Sequence, residues 1–192
     1  MLIDFSRETK RQRYHLMSRI VVPRPIAWVV TEGPVRNIAP FSYFTPLSSE
    51  PATVLISIGH KADGSPKDTL RNLRENGRCT ICMIEEAHLR PMDQSSQPLG
   101  EDESELSRFG IPSHSILPDY PPVPTGIKAA MFGTYLQEMD LKGSATVPVV
   151  ITIEHLFIDA AILTDPQSLA LSLDTVARVG DHYTRLGSDF VL

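Results

Sequence analysis

Residues 24–45 read Arg24-Pro25-Ile26-Ala27-Trp28-Val29-Val30-Thr31, then a turn at Glu32-Gly33-Pro34, and then Asn37-Ile38-Ala39-Pro40-Phe41-Ser42-Tyr43-Phe44-Thr45. Two apolar runs on either side of a Gly-Pro turn predict a β-hairpin. The second run places an amide, a hydroxyl, a phenol and Phe rings around Pro40. Side chains of these types can line a pocket for a flat polar ring.

The rest of the chain predicts more strands and few helices. The expected strands cover residues 53–59, 78–84, 127–136, 147–153 and 156–163. Because successive strands follow without regular helical crossovers, the pattern favours an antiparallel barrel over a doubly wound sheet. No Gly-x-Gly-x-x-Gly follows any of these strands, so a Rossmann dinucleotide site has no support.

Two helices and one long irregular segment complete the pattern. A short N-terminal helix is expected to be capped by Ser6 and to end before Pro23. A second is expected over residues 65–77, with Ser65 as its cap and Pro66 at its first position. Residues 87–126 are rich in proline, with one brief helix at 101–110, and such long segments are usually lids, binding loops or interface arms.

Length and charge limit the classes of function. The 192 residues suit one compact domain over 1–192, large enough for a full hydrophobic core. A net charge of -5 without a Lys/Arg cluster argues against a nucleic-acid partner. We find neither a signal-peptide core nor an apolar run of the ~20 residues that span a bilayer, and therefore expect a cytoplasmic protein without membrane contact.

The two cysteines, Cys79 and Cys82, are spaced like a redox pair. They lie in a short apolar run typical of a strand, where residues three apart point to opposite faces. We therefore expect two buried cysteines rather than a catalytic pair. The six histidines are scattered without ligand spacing, so no metal site is predicted.

Several polar residues could bind an anion or a ring. The start of the second helix offers free amides beside Lys67 and Thr69, although a solvated helix start explains the same pattern. Arg24, between two prolines, is stiffly placed for a phosphate or for a surface ion pair. Asn37 and Ser42 could contact a flat ligand over Ala39, or could satisfy a buried turn. No Gly-x-Ser-x-Gly elbow or complete P-loop is present.

Four motifs, in order, resemble the flavin reductase-like family of FMN-binding split barrels, which includes flavoredoxins. These are Val22-Pro23-Arg24-Pro25-Ile26-Ala27, Asn37-Ile38-Ala39-Pro40-Phe41-Ser42-Tyr43-Phe44, Lys67-Asp68-Thr69-Leu70-Arg71-Asn72 and Arg178-Val179-Gly180-Asp181-His182-Tyr183. Two positions depart from the family pattern. Asp181 replaces a glycine, and Ala52 follows Pro51 where a second proline is common.

The resemblance implies a mainly β, six-stranded antiparallel Greek-key split barrel that forms a homodimer with one FMN per subunit. The matched motifs imply three groups of cofactor-binding residues. Asn37, Ala39, Ser42 and Phe44 would line the flavin ring, Ser57 and Gly59 the ribityl chain, and Arg24, Lys67 and Thr69 the phosphate. Pro40, Asp68 and Arg178 lie in the same motifs and complete the expected set.

The resemblance also implies an NADH- or NADPH-dependent oxidoreductase that passes electrons through FMN to free flavin, a partner monooxygenase or another acceptor. The flavin supplies the redox chemistry, so no protein residue is assigned a catalytic role. FAD in place of FMN stays open. A flavoredoxin-type electron carrier and a non-enzymatic flavin-binding dimer module are the alternatives.

Overall fold

The computed structural model describes residues 1–187. Its strands, in chain order, are β1 (Arg24–Pro25), β2 (Ala27–Thr31), β3 (Asn37–Phe41), β4 (Phe44–Ser49), β5 (Ala52–Gly59), β6 (Arg78–Met83), β7 (Ser113–His114), β8 (Val123–Pro124), β9 (Ala129–Glu138), β10 (Thr146–Ile158), β11 (Leu163–Asp165), β12 (Ala170–Leu171), β13 (Val176–Val179) and β14 (His182–Arg185).

The helices are short and lie between the strands. They are α1 (Lys10–Ile20), α2 (Asp68–Asn76), α3 (Leu89–Gln94) and α4 (Glu105–Arg108), with 3-10 turns at Glu86–His88 and Ala160–Ile162. No helix within residues 1–187 has the length and apolar character needed to cross a bilayer.

Seven strands form the main sheet, in the order β3-β2-β6-β9-β10-β5-β4, and every neighbouring pair is antiparallel. Strands β3 and β4 lie at opposite edges, yet only Ser42 and Tyr43 separate them in sequence. Two residues span only a few ångströms, so the sheet must curl until its edges approach each other. The mainly β split-barrel class is thus confirmed, with seven strands where six were expected.

The hairpin predicted at residues 24–45 is present. Strands β2 and β3 pair from Ala27 opposite Phe41 to Thr31 opposite Asn37. Pro40 lies within β3, and an edge strand tolerates proline because the side facing away from the sheet needs no N–H.

The expectation of separate strands at 147–153 and 156–163 was wrong. A single strand, β10, covers 147–153 and continues to Ile158, and it pairs with β9 across two register shifts, at Val150/Ile151 and Ile153/His155. Bulges of this kind let a long strand bend with the curled sheet without a turn. The polar Glu154 and His155 therefore belong to the strand and not to a loop. The rest of the second expected strand is a 3-10 turn at Ala160–Ile162 and the start of β11.

Both expected helices are present, but each begins later than the sequence suggested. Thr9, not Ser6, caps α1, because Thr9 and Gln12 form a reciprocal capping box. Helix α2 begins after Lys67 and not at Pro66, since Ser65 donates from its N–H and its hydroxyl to Asp63. Its expected end at Gly77 is confirmed by a left-handed φ of 72°.

Apolar side chains cover both faces of the main sheet. Inside the curl, Val29, Ile56 and Ile81 pack with Leu70 and Leu73 of α2. On the outer face, a second cluster joins the sheet to the 87–126 segment through Trp28, Ile38, Cys82, Met92, Leu106, Tyr120 and Val123. The long segment thus forms one wall of the outer core.

The cysteines lie on opposite faces of β6, as predicted. Cys79 packs in the inner cluster and Cys82 in the outer one, and both are free and buried. Burial raises the pKa of the Cys79 thiol from 9.0 to about 12, and that of Cys82 also rises. Both thiols therefore stay protonated, as inert core side chains do.

Alkaline pH should reveal the cost of ionising Cys79. An unfolded thiol loses its proton near pH 9.0 while the folded one keeps it to about 12, so the free energy of unfolding should fall across that window. The slope attributable to one such group is roughly 1.4 kcal/mol per pH unit. Urea unfolding at several pH values should show a shallower fall in Cys79→Ala than in wild type. Equal slopes in the two proteins would contradict this account.

Candidate functional site

A cavity of about 380 Å³ opens between the hairpin, the start of α2 and the 87–126 segment. Strand β3 contributes one wall and the residues around Lys67 a second. Its lining includes these residues: Asn37, Ala39, Pro40, Phe41, His60, Lys61, Ala62, Lys67, Asp68, Thr69, Ser95, Ser96, Gln97, Pro98, Leu99 and Glu105. Six of the residues expected from sequence therefore meet here: Asn37, Ala39, Pro40, Lys67, Asp68 and Thr69.

A buried hydrogen-bond network joins three elements at this cavity. The Asn37 amide nitrogen donates to both carboxylate oxygens of Glu105, at 3.0 Å each. The Thr69 hydroxyl donates to the Asn37 amide oxygen at 2.7 Å. The Ile38 N–H also donates to Glu105, at 3.1 Å. The network fixes β3, α2 and α4 relative to one another.

Glu105 is a carboxylate with little access to water. Only 6% of the residue is exposed, and desolvation raises the pKa of its carboxyl. The hydrogen bonds from Ile38 and Asn37 oppose that rise. Because all the donors point toward Glu105, the arrangement suits the ionised, hydrogen-bond-accepting form.

The charges at the mouth of the cavity are largely paired. Asp68 lies 3.1 Å from the Lys61 ammonium and 2.7 Å from the Arg71 guanidinium. Lys61 also reaches Glu101, at 3.5 Å. Lys67 differs, since no carboxylate of residues 1–187 lies within ion-pair distance of its ammonium.

The start of α2 adds partial positive charge beside Lys67. Helix α2 has nine residues, and Lys67, its N-cap residue, makes no side-chain capping hydrogen bond. The first N–H groups of a helix lack intrahelical partners and attract anions. Lys67 and these amides together can hold a phosphate.

A second, smaller cavity of about 220 Å³ adjoins the first along Pro40 and Ser96, which line both. It brings together Ser42 and Arg178 of the expected set. The Arg178 guanidinium stacks over the Tyr183 ring at 4.4 Å, and Tyr183 donates to Asp93 at 2.6 Å. Desolvation, followed by that bond to Asp93, raises the pKa of Tyr183 to about 12.

Four expected residues lie apart from both cavities. The Arg24 guanidinium is buried and donates to the carbonyls of Ser18 and Val21 at the end of α1. Phe44 packs inside the curled sheet. Ser57 and Gly59 lie on β5, and a side chain at Gly59 would project into open space, with no described atom within 4 Å.

Sequence reasoning missed Glu105, Lys61, His60 and the serines of the 87–126 segment. Glu105 ends an acidic run, Glu101-Asp102-Glu103-Ser104-Glu105, and nothing in the run distinguishes its buried member. Its burial depends on how α4 packs against β3, which is a long-range contact.

Within residues 1–187, no three His, Cys, Asp or Glu side chains are grouped as metal ligands.

Ser95 fastens the 87–126 segment to the hairpin. The Trp28 indole N–H donates to the Ser95 hydroxyl at 2.9 Å, and that hydroxyl donates to the Met92 carbonyl at 2.7 Å. Trp28 is fully buried, so its N–H has no access to water. The wall of the cavity formed by residues 95–99 is held in place by this bond.

Comparison with known proteins agrees with this geometry. Residues 17–171 match the family model described as the flavin reductase like domain. The chain is also 34% identical to the uncharacterized protein YwrF of Bacillus subtilis, over 95% of this chain and 93% of that protein. It is 40% identical to the uncharacterized protein BH2278 of Halalkalibacterium halodurans, over 54% of this chain and only half, 50%, of that protein's length. The chain belongs to the flavin reductase-like family.

Solved structures share the fold over the whole chain. Nitrilotriacetate monooxygenase component B from Bacillus cereus superimposes with a TM-score of 0.90 at 22% identity, covering 100% of this chain and 99% of that one. The 2-nitrobenzoate 2-nitroreductase NbaA of Pseudomonas fluorescens superimposes with a TM-score of 0.89 at 23% identity, covering 100% of this chain and 95% of that one. The flavoredoxin of Desulfovibrio vulgaris (Miyazaki F) superimposes with a TM-score of 0.73 at 19% identity, covering 100% of this chain and 97% of that one.

Replacing Ser95 with alanine should destabilise the fold. The change leaves the buried Trp28 N–H without its acceptor, which costs about 1–3 kcal/mol. Ser96→Ala is the matched control, because the Ser96 hydroxyl is exposed and its hydrogen bond goes to the Asp93 carbonyl of its own segment. Denaturant unfolding should separate the two variants. Equal unfolding free energies for Ser95→Ala and wild type would show that the Trp28 bond does not hold the segment.

Proposed function

We propose that this protein is an FMN-binding oxidoreductase that takes electrons from NADH or NADPH and passes them through FMN to free flavin or another acceptor. The observation that supports this most directly is the meeting of six motif residues at one cavity. One of them, Lys67, has no carboxylate of residues 1–187 within ion-pair distance. Membership of the flavin reductase-like family supports the same reading.

The residues present fit FMN in type and arrangement. Lys67 and the free amides of α2 suit a phosphate, which carries nearly two negative charges at neutral pH. Ala39 and Pro40 offer a low apolar surface to a flat ring, and Asn37 and Thr69 offer polar groups to its edge.

When bound, FMN supplies the hydride and electron transfer chemistry, and the protein binds and orients it. Lys67 and α2 would hold the phosphate. The 87–126 segment, fixed through Ser95 and Glu105, would limit the access of water to one side of the cavity. The adjoining cavity beside Arg178 and Tyr183 would leave a place for the nicotinamide or for the acceptor.

The proposal includes a homodimer. Tyr14 of α1 stacks on Tyr43 at the sheet corner, with ring centroids 6.2 Å apart. Apolar side chains on the same helix and on β4 are exposed, Ile20 to 71% and Leu47 to 52%. An apolar surface of this kind supports contact with a second copy of the chain.

Anaerobic mixing of the purified protein with FMN and either nicotinamide tests the activity. We expect loss of the visible absorbance of oxidised FMN at a rate proportional to protein concentration. FMN that is retained tightly but not reduced by either NADH or NADPH would contradict the proposed activity. That result would favour an electron carrier dependent on a protein partner.

Removing the Lys67 ammonium should weaken the binding of FMN. Lys67→Ala is expected to cost about 1–3 kcal/mol of FMN binding, the range for a hydrogen bond to a charged group. Lys142→Ala provides the control, because Lys142 is exposed and lies outside the cavity. Fluorescence titration with FMN would measure both. An unchanged dissociation constant in Lys67→Ala would place the phosphate elsewhere.

A further inference from the structure

Glu105 combines features that a surface glutamate lacks. It is buried, it lines the candidate flavin cavity, and within residues 1–187 no Lys, Arg or His lies within ion-pair distance of it. Its contacts are instead hydrogen bonds from Asn37 and from the Ile38 N–H. A buried carboxylate held only by neutral donors imposes an orientation on those donors.

The carboxylate settles the direction of every bond in the network. An ionised carboxyl group can only accept, so the Asn37 amide must turn its nitrogen toward Glu105. The Asn37 oxygen then faces Thr69, 2.7 Å from the hydroxyl oxygen, and takes the hydroxyl proton. The Thr69 hydroxyl keeps acceptor capacity but has no proton left to donate.

This direction matters for the ligand. A phosphate has only acceptor oxygens when fully ionised, so it gains nothing from a hydroxyl whose proton is already engaged. The negative charge of Glu105, which borders the same cavity, also repels it. A flavin N–H or a ribityl O–H, in contrast, can donate to the Thr69 oxygen.

We propose that Glu105 is a positioning residue that, through Asn37, presents the Thr69 hydroxyl as an acceptor for a donor group of the flavin ring or ribityl chain. The phosphate is held away from this side, at Lys67 and the amides of α2. The inference rests on the proposed flavin site and assigns to Thr69 a contact different from the phosphate contact expected from sequence.

Titration with riboflavin and with FMN tests the assignment, because the two ligands differ only in the phosphate. Thr69→Val removes the hydroxyl with little change of shape, and it should weaken riboflavin and FMN by the same factor, about tenfold. A phosphate contact at Thr69 would instead leave riboflavin affinity unchanged and weaken FMN alone, and that result would overturn the proposal.

Glu105→Gln tests the positioning role. The single amide oxygen of glutamine can accept from both Asn37 and the Ile38 N–H, but the glutamine NH2 group then lies against the Asn37 NH2 group, where wild type has an accepting carboxylate oxygen. Turning the Asn37 amide removes this donor–donor contact and releases the Thr69 proton. Riboflavin affinity should therefore also fall about tenfold. Because Glu105 acts through Thr69, the double variant should bind riboflavin no more weakly than the weaker single variant.

Asp102→Asn is the matched control, an exposed carboxylate in the same segment, and it should bind riboflavin as wild type does. Melting temperatures of the flavin-free variants report folding separately from binding. If Glu105→Gln does not fold, Thr69→Val alone still decides where the phosphate lies.

Wild-type affinity in Glu105→Gln, or additive losses in the double variant, would overturn the positioning role. A wild-type protein that binds neither flavin would overturn the proposed function itself.

Discussion

The two-residue link between β3 and β4 constrains the whole molecule. Ser42 and Tyr43 connect strands at opposite edges of a seven-stranded sheet, so the sheet can exist only in a strongly curled form. The Tyr43 carbonyl accepts from the Ser57 N–H at 2.9 Å, which ties the corner to β5. The curl encloses the inner apolar cluster, and it leaves the outer edge of β3 facing α2 and the 87–126 segment. The candidate cavity lies at that edge because of this geometry.

Charge pairing distinguishes the positions along the cavity. Asp68 and Glu101 pair with Lys61 and Arg71, whereas no carboxylate of residues 1–187 pairs with Lys67. Glu105 is negative but buried and bound by neutral donors. The cavity therefore has an anion-attracting end beside α2 and an anion-repelling side beside β3. This distribution of charge would favour one orientation of the proposed ligand, with its anionic end beside α2.

Local patterns in the sequence predicted much of the fold and part of the site. The hairpin, the opposite-facing cysteines and the end of α2 follow from turn residues, strand alternation and a glycine cap. The exact start of α2 did not, because Asp63 competes for Ser65. The continuity of β10 depends on its pairing with β9, which no local pattern records. Glu105 was missed for a similar reason, since only the packing of α4 distinguishes it from its acidic neighbours.

Motif membership also did not determine which side chains face the cavity. Arg24 and Phe44 stand in matched motifs, yet one bonds to the end of α1 and the other fills the interior of the curled sheet. Their side chains are conspicuous in sequence, but burial decides their contacts. Asn37 and Thr69 reach the cavity from separate elements that meet only in the folded chain.

Pro40 has a consequence for solubility as well as for the cavity. An exposed strand edge with free N–H groups can recruit a strand from another chain and begin aggregation. On the outer side of β3, the Ile38 N–H donates to Glu105. Pro40 is the next residue whose backbone nitrogen faces this side, and proline has no N–H to offer. A cavity can therefore stay open along this strand without offering a template for intermolecular sheet growth.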